Sequence, residues 1–203
     1  CIRDSLYMIE VNPRASRTIP FLSKCIGISL AKIASKVIAG KSLKDLGITA
    51  EILPTSYAVK APVFPFNKFR KVDPILGPEM KSTGEVMGRG KTFGEAFGKS
   101  MMGAGQLIPS KGNVFISVKD EDKSQLKTLC TKLKGLGFKF IATKGTGLKM
   151  KEDGFEVKII NKVMEGRPHI VDAILNNEVS MVINTTEGRQ SIKDSYSIRR
   201  SAL

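Results

Sequence analysis

Hydrophobic and polar positions follow different patterns in the two halves of the chain. In the first half, residues 6–11 form a short β-rich run that ends before a proline, and residues 30–38 place Leu, Ala, Val and Ile at helical spacing before Gly40. Residues 56–66 are apolar, but prolines at 62 and 65 make this an edge or irregular strand. A helix is predicted over 92–102, with one apolar face formed by Phe93, Ala96, Phe97 and Met101.

The second half alternates between strand and helix patterns. The stretch 103–112, rich in glycine, is the most linker-like of the chain, and we place a domain boundary there. The predicted strands are 114–118, 138–142, 157–160 and 179–183, and the predicted helices are 122–136, 143–150 and 169–176. This order favours a doubly wound α/β domain with a parallel sheet.

Composition narrows the class of protein. With 203 residues, 41% apolar and 26% charged, the chain fits one or two globular domains. No apolar run approaches the roughly 20 residues of a membrane span, so no membrane association is expected. Three widely spaced cysteines fit no zinc motif and indicate a reducing, cytoplasmic compartment; Cys25 and Cys130 are predicted to be small core residues. Because Cys1 stands where a methionine would begin a protein, we expect a piece of a longer polypeptide.

The net charge of +14 raises the alternative of a nucleic-acid-binding protein. The excess is spread along the chain and consists of 24 Lys against 9 Arg, with 6% aromatic residues and no Trp. Nucleic-acid readers favour arginine forks and interleaved aromatic side chains. A solvated lysine-rich surface, with no nucleic-acid partner, is therefore the preferred interpretation.

The first candidate site follows the strand predicted at 6–11. Glu10 and Asn12 project to the same face and offer a carboxylate and an amide oxygen, which are suitable ligands for Mg²⁺. Arg14 and Arg17 come next, where their planar forks can meet phosphate or carboxylate oxygens. An exposed strand end with solvated charges is the plainer alternative.

A second motif, Gly90-Lys91-Thr92, looks like the end of a phosphate-binding P-loop. The pattern requires a glycine where this chain has Glu85, and no hydrophobic strand leads cleanly into it. Residues 88–92 are therefore predicted to be a turn that caps the helix from Thr92.

The third candidate site combines two hydroxyl-rich turns that follow predicted parallel strands. Residues 143–146, Thr-Lys-Gly-Thr, open a helix, and residues 184–186, Asn-Thr-Thr, follow a later strand. Lys123 and Lys162 add positive charge, so the pattern predicts a phosphate site. The single histidine, His169, opens a predicted helix and is expected to pack or cap rather than act as a base.

Several stretches carry a resemblance to a known family. They are YMIEVNPRASRTIPF at 7–21, PFNKF at 65–69, DPILGPEMKSTGEVMG at 73–88, NKVMEGRPHI at 161–170, INTTEGR at 183–189 and IRRSAL at 198–203. In order and over nearly the whole chain, they resemble the carbamoyl-phosphate synthase large-subunit family. The resemblance implies the C-terminal part of an ATP-grasp domain over 1–103, followed by an incomplete methylglyoxal-synthase-like allosteric domain over 104–203, doubly wound around a parallel sheet.

The resemblance also implies an activity. The family makes carbamoyl phosphate from bicarbonate, glutamine-derived ammonia and two ATP, for pyrimidine and arginine biosynthesis, with a small glutamine-amidotransferase subunit as partner and within a larger oligomer. Glu10 and Asn12 would then bind Mg²⁺ or Mn²⁺ with ATP as substrate, and Arg14 and Arg17 would contact the phosphoryl-transfer substrates. The fragment alone is expected to be inactive.

For the second domain, the resemblance implies an allosteric site for the nucleoside monophosphates UMP and IMP. Its residues would be Lys123, Thr143, Gly145, Thr146, Lys162, Asn184, Thr185 and Thr186. Ala61 stands where ornithine-responsive members carry a glutamate, and the chain ends before a family segment that helps to hold ornithine, so ornithine binding is not implied.

Two alternatives to this enzyme assignment remain. One is a standalone nucleotide-binding regulatory module without catalysis. The other is methylglyoxal synthase itself, whose chemistry needs a carboxylate base beside the phosphate pocket. After the strand ending at Ile183 the chain supplies amide and hydroxyl groups, and the nearest acid is Glu187, which favours binding without catalysis.

Overall fold

The computed structural model describes residues 8, 11, 13–69, 72–77 and 79–203. Contacts between residues divide the chain into two compact units, Cys1–Val63 with Gly84–Gln106, and Phe64–Thr83 with Leu107–Leu203. These units group residues by contact, and the domain bounds at 103 and 104 stay a prediction. The strand predicted over 6–11 lies outside the described residues apart from Met8 and Val11, which are both exposed.

The described part of the first unit contains three helices and two strands. They are α1 (Thr18–Ile26), α2 (Leu30–Ile38), β1 (Tyr57–Val63), β2 (Gly84–Gly90) and α3 (Phe93–Gly103). Helix α2 has the predicted bounds, because Ser29 caps its first turn and Gly40 follows its end with a φ of 92°. Helix α1 was not predicted from the sequence.

Strands β1 and β2 form a two-stranded antiparallel sheet in which Tyr57 lies opposite Gly90. Among the described residues each of these strands has a single neighbour, in agreement with the edge-strand prediction for β1. Helix α3 is also confirmed, with Thr92 as its N-cap. Its buried positions are Ala96 and Ser100, whereas Phe93 and Phe97 are exposed and stack on each other at 5.9 Å between ring centroids. Of the apolar face predicted for this helix, Ala96 is buried and Met101 half-buried, while both phenylalanines are exposed.

The glycines of β2 explain how α3 packs. A Cβ at Gly88 would lie 2.0 Å from the carbonyl oxygen of Ala96, and one at Gly90 would lie 2.6 Å from the Ala96 nitrogen. Gly88 and Gly90 are strand residues, so the prediction of a turn beginning at residue 88 was wrong, and a strand does lead into Lys91. The two glycines allow helix α3 to approach the strand closely. This packing explains their presence, so no phosphate-binding loop is needed to explain them.

The second unit has a four-stranded parallel sheet. Its strands are β3 (Asn113–Ser117), β4 (Lys139–Ala142), β5 (Lys158–Ile159) and β6 (Met181–Asn184), in the spatial order β5-β4-β3-β6. Its helices are α4 (Leu126–Gly135), α5 (Lys144–Glu152), α6 (Ile170–Leu175), α7 (Gly188–Asp194) and α8 (Tyr196–Ser201). Short 3₁₀ turns occupy Phe66–Lys68, Asp120–Gln125 and Val163–Glu165. The parallel α/β prediction is confirmed.

Alternate residues of the strands build a core on each face of this sheet. Val114 and Ile116 point to one face and pack with Leu126 and Cys130 of α4. On the other face, a second cluster combines Phe115 and Ile141 with Ile170, Ala173 and Ile198 from α6 and α8. The strands therefore read as continuous apolar runs because both faces are covered by helices.

Smaller predictions were also checked by the structure. Cys25 and Cys130 are buried free thiols, as expected. His169 is the N-cap of α6: its Nδ1 accepts a hydrogen bond from Asp172 N at 3.4 Å, and its own N–H donates to Asp172 Oδ2 at 3.0 Å. The capping role predicted for His169 is thus confirmed.

Among the described residues, none of the helices has the length and apolar character needed to cross a membrane.

Candidate functional site

A cavity of about 580 Å³ opens at the carboxyl end of the parallel sheet. The segments that follow β3, β4 and β6 converge on it, as expected for ligand crevices of open α/β sheets. Helices α7 and α8 close another side of the cavity. Five of the predicted site residues lie on its wall: Thr143, Lys162, Asn184, Thr185 and Thr186.

Hydrogen bonds between these strand ends hold the hydroxyl groups in place. The hydroxyls of Ser117 and Thr143 lie 3.1 Å apart at the ends of β3 and β4. Thr185 Oγ1 accepts a hydrogen bond from Lys119 N at 3.0 Å, and Thr185 N donates to the Ser117 carbonyl at 3.0 Å. The three turns are therefore tied to one another across the edge of the sheet.

The other three predicted residues lie beside the cavity. Thr146 is 2% exposed, and its Oγ1 accepts a hydrogen bond from Val118 N at 3.1 Å, which fixes the turn after β3. Gly145, in the first turn of α5, is exposed, and the Lys123 ammonium lies 3.7 Å from the place of a Cβ on this glycine. Lys123 itself pairs with Asp120, which lines the cavity, at 2.7 Å.

Positive charge gathers around Asp120. The pKa of Asp120 lies below its ordinary value, first because Lys123 donates a hydrogen bond to it, and also because of the charges of Lys123 and Lys162. The pKa of Lys119 is raised, chiefly by a hydrogen bond to Glu121 at 2.6 Å, with a further contribution from the charge of Glu187. The partners of Lys119 and Lys123 are thus exposed carboxylates, which an incoming anion could replace, and the charge of Lys162 acts on the same carboxylate of Asp120.

Sequence reasoning missed the side of the cavity formed by α7 and α8. Ser191, Asp194 and Ser195 line it, together with Glu187 at the start of α7. The sequence does carry a signal for Ser191, Asp194 and Ser195: Asp194 and Ser195 lie three and four residues after Ser191, a spacing that places side chains on one face of a helix.

Helix α8 also contacts the segment 64–83, which belongs to this unit. Arg199 Nε lies 3.0 Å from Asp73 Oδ1, and Arg199 Nη2 lies 2.7 Å from Asp73 Oδ2. The Arg199 guanidinium also donates to Ser195 Oγ and to the carbonyl of Ile192. The pKa of Asp73 is lowered, first of all by its hydrogen bond from Arg199.

The other predicted site falls in the first unit. Glu10 and Asn12 lie outside the described residues, so their role as metal ligands stays a prediction. Arg14 and Arg17 are exposed, and Arg17 precedes α1 without making a side-chain cap. Within the part of the chain that the structure describes, no group of three or more His, Cys, Asp or Glu is placed to hold a metal ion.

Comparison with known families gives two matches. The MGS-like domain model matches residues 125–203, which carry most of the cavity wall. The model of the carbamoyl-phosphate synthase L chain, ATP binding domain, matches residues 2–46, which include the first predicted site.

Whole-chain relatives agree with these matches. The chain is 63% identical over 200 residues to the carbamoyl phosphate synthase large chain of Pseudomonas putida, which is 98% of this chain and 19% of that protein. The corresponding proteins of Pseudomonas syringae pv. tomato and Buchnera aphidicola subsp. Acyrthosiphon pisum are 62% and 54% identical over the same share of this chain. The chain thus spans about a fifth of the length of these relatives, and it belongs to the family of carbamoyl phosphate synthase large chains.

Proposed function

We propose that the cavity of the second unit binds a nucleoside monophosphate, UMP or IMP, as an allosteric ligand. The observation that carries this proposal is the convergence of three hydroxyl-bearing turns and three lysines at the carboxyl edge of one parallel sheet. Phosphate is bound well by hydroxyls, by ammonium groups and by the free N–H groups at a helix start. All eight predicted residues lie on or directly beside this cavity.

The phosphate is proposed to sit between α5 and the lysines. The Thr143 hydroxyl, which precedes α5, hydrogen-bonds to Ser117 and does not cap the helix, so the Thr143 side chain does not compete with an anion for the N–H groups of the first turn. Lys123 and Lys162 supply charge on the same side, where Asp120 now holds Lys123. A phosphate would take over that role with more oxygens to offer.

The rest of the cavity suits a ribose and a base. Asn184 and Asp194 offer amide and carboxylate groups to sugar hydroxyls, while Val163, Ile170 and Ile198 provide apolar surface. The volume of about 580 Å³ falls within the usual range of roughly 300–1,000 Å³ for small-molecule sites. A site with one polar and one apolar end matches the chemistry of a nucleotide.

Calorimetric titration of UMP and IMP into the full-length large chain tests this proposal. Replacing Lys162 by Ala removes an ammonium from the phosphate site, and we expect the Kd to rise about thirtyfold, the loss of roughly 2 kcal/mol for one charged hydrogen bond. Lys132→Ala, at an exposed position of α4, is the matched control and should leave the Kd unchanged. No saturable binding at millimolar nucleotide would refute the proposal.

We propose that this chain takes part in the activity of a carbamoyl-phosphate synthase, since it covers about a fifth of the length of such relatives. The synthase would join bicarbonate and glutamine-derived ammonia with two ATP, with a small glutamine-amidotransferase subunit as partner, within a larger oligomer in the cytoplasm. The match of residues 2–46 to an ATP-binding domain supports ATP as substrate. Glu10 and Asn12 remain the proposed Mg²⁺ or Mn²⁺ ligands, and Arg14 and Arg17 the proposed contacts to the phosphoryl-transfer substrates.

One observation favours a second candidate, methylglyoxal synthase chemistry. Glu187 lies on the cavity wall together with Asp194, so a carboxylate base is present beside the proposed phosphate site. Incubation with dihydroxyacetone phosphate separates the two functions. Release of methylglyoxal and inorganic phosphate that is lost in Glu187→Gln would support the second candidate, and nucleotide binding without this product would support the first.

A further inference from the structure

The junction of α7 and α8 contacts the cavity on one side and the segment 64–83 on the other. Ser191 and Asp194 line the cavity, and so does Ser195, which is 4% exposed. The Ser195 hydroxyl donates a hydrogen bond to the Ile192 carbonyl at 3.0 Å, so its position follows that of α7. A ligand that moves this wall must therefore move Ser195.

One guanidinium joins this wall to the segment. Arg199 donates to Ser195 Oγ and to the Ile192 carbonyl, the latter at 3.0 Å, while the same group forms the two hydrogen bonds to Asp73. The neighbouring Arg200 donates to the carbonyl of Phe66 at 3.3 Å. Two successive arginines of α8 thus hold the segment at two points.

The geometry of the Arg199–Asp73 ion pair makes its hydrogen bonds sensitive to small movements of α8. The side chains of Arg199 and Asp73 are 20% and 35% exposed, so water screens the pair less than it screens a surface pair. A guanidinium–carboxylate fork needs both oxygens near the plane of the donors, so a small rotation of α8 would break one of the two hydrogen bonds. The strength of the pair therefore depends on the orientation of α8 against the segment.

The segment leads directly to the other unit through the chain. It begins after Val63, the last residue of β1, and ends before Gly84, the first residue of β2. These two strands are paired throughout, and Val63 lies opposite Gly84. The covalent chain thus gives a displacement of the segment a direct route to the open end of that two-stranded sheet.

We propose that the Arg199–Asp73 ion pair couples occupancy of the cavity to the segment 64–83 and, through its two ends, to the β1–β2 sheet. This inference rests on the proposed function, because it assigns the route by which the allosteric ligand acts. A ligand that binds better to one arrangement of Ser195 and Arg199 shifts the population of that arrangement, and the segment shifts with it.

The test uses the full-length large chain with its small subunit, and the variants Asp73→Asn and Arg199→Lys. Asn keeps the shape of Asp73 without its charge, and Lys keeps the charge of Arg199 without the fork. Two quantities are measured: the Kd of UMP and IMP by calorimetry, and the rate of carbamoyl phosphate synthesis with and without saturating nucleotide. In both variants we expect the Kd to change by less than about threefold, and the nucleotide-dependent ratio of rates to fall toward one by at least about twofold.

A matched control is available in the same unit. Lys158 and Glu178 form an ion pair at 3.2 Å with a comparably exposed carboxylate, away from α8, and Glu178→Gln should leave the ratio of rates unchanged. A wild-type ratio in Asp73→Asn and Arg199→Lys, with nucleotide bound, would overturn the coupling role alone. Failure of the wild-type enzyme to bind nucleotide would overturn the proposed function and, with it, this inference.

Discussion

The hydroxyl of Thr146, in the first turn of α5, accepts a hydrogen bond from the backbone N–H of Val118 at 3.1 Å. Val118 immediately follows β3, and Lys119 and Asp120 come next on the cavity wall. Thr146, which follows β4, thus holds in place the turn that follows β3. The contact gives Thr146 a positioning role besides any contact with phosphate.

We expect Thr146→Val to destabilise this turn. The substitution keeps the shape of the side chain but leaves the Val118 N–H without its acceptor, at a cost of about 1–3 kcal/mol. Hydrogen exchange of a peptide covering residues 113–125 should become faster in this variant. Thr146→Ser keeps the acceptor and should exchange like the wild type; equal protection in both variants would contradict the role.

Arg17 is predicted to matter for catalysis and not for folding. Its side chain is exposed and makes no cap to α1, so Arg17→Ala should leave the helix intact. Removing one charge that stabilises a phosphoryl-transfer transition state should lower kcat by about a hundredfold in the full-length enzyme. Lys32→Ala on α2 is the control, and a kcat in Arg17→Ala equal to that of the control would count against the site.

Gly88→Ala should disrupt the packing of α3 on β2. The new methyl group would lie 2.0 Å from the Ala96 carbonyl oxygen and 2.5 Å from the Ser100 nitrogen, both of them backbone atoms. Such overpacking costs about 1–3 kcal/mol or more, which urea denaturation measures. Gly84→Ala in the same strand meets nothing within 4 Å and should unfold like the wild type. Similar stability of the two variants would show that α3 does not need the glycine.

Cys130 should be unreactive in the folded protein. Burial raises the pKa of its thiol to about 11, with a smaller contribution from the charge of Asp153. Two units above the ordinary value reduce the thiolate at pH 8 about a hundredfold, so alkylation by iodoacetamide should slow by that factor at least. Mass spectrometry of the Cys130 peptide, with a urea-unfolded sample for comparison, measures this. Equal rates in both samples would place the thiol at the surface.

The Asp73–Arg199 pair predicts an acid dependence of stability. Because the pKa of Asp73 is lowered in the folded state, the pair stabilises the fold above the ordinary value of 3.8 and is lost as the pH falls through the lower native value. The difference in unfolding free energy between the wild type and Asp73→Asn should therefore be constant at neutral pH and shrink below about pH 4. A difference that grows on acidification would contradict this assignment.

Local sequence patterns predicted the four strands of the second unit and helices α4, α5 and α6, because their apolar residues carry the period of the element they form, but they did not predict α7 or α8. The continuous apolar run of β3 follows from burial on both faces of the sheet, and the leucine spacing of α4 follows from burial on one face of the helix. Local patterns did not predict which residues of α3 are buried, because close packing on β2 decides this. The phenylalanines of α3 are exposed because the glycines of β2 draw the helix close at Ala96 instead, a relationship between residues that no local period contains.

The candidate site divides in the same way. The hydroxyl-rich turns at 143–146 and 184–186 were recognisable from the sequence, since parallel strands end at one edge and their following residues meet there. Ser195, Asp194 and the fork of Arg199 on Asp73 were not, because residues separated by 126 positions come together only through the packing of α8 and segment 64–83. The sequence alone thus determined the family, the parallel sheet and the polar groups at its edge. The tertiary structure decided which groups share a cavity, since long-range contacts depend on packed side chains and not on local periodicity.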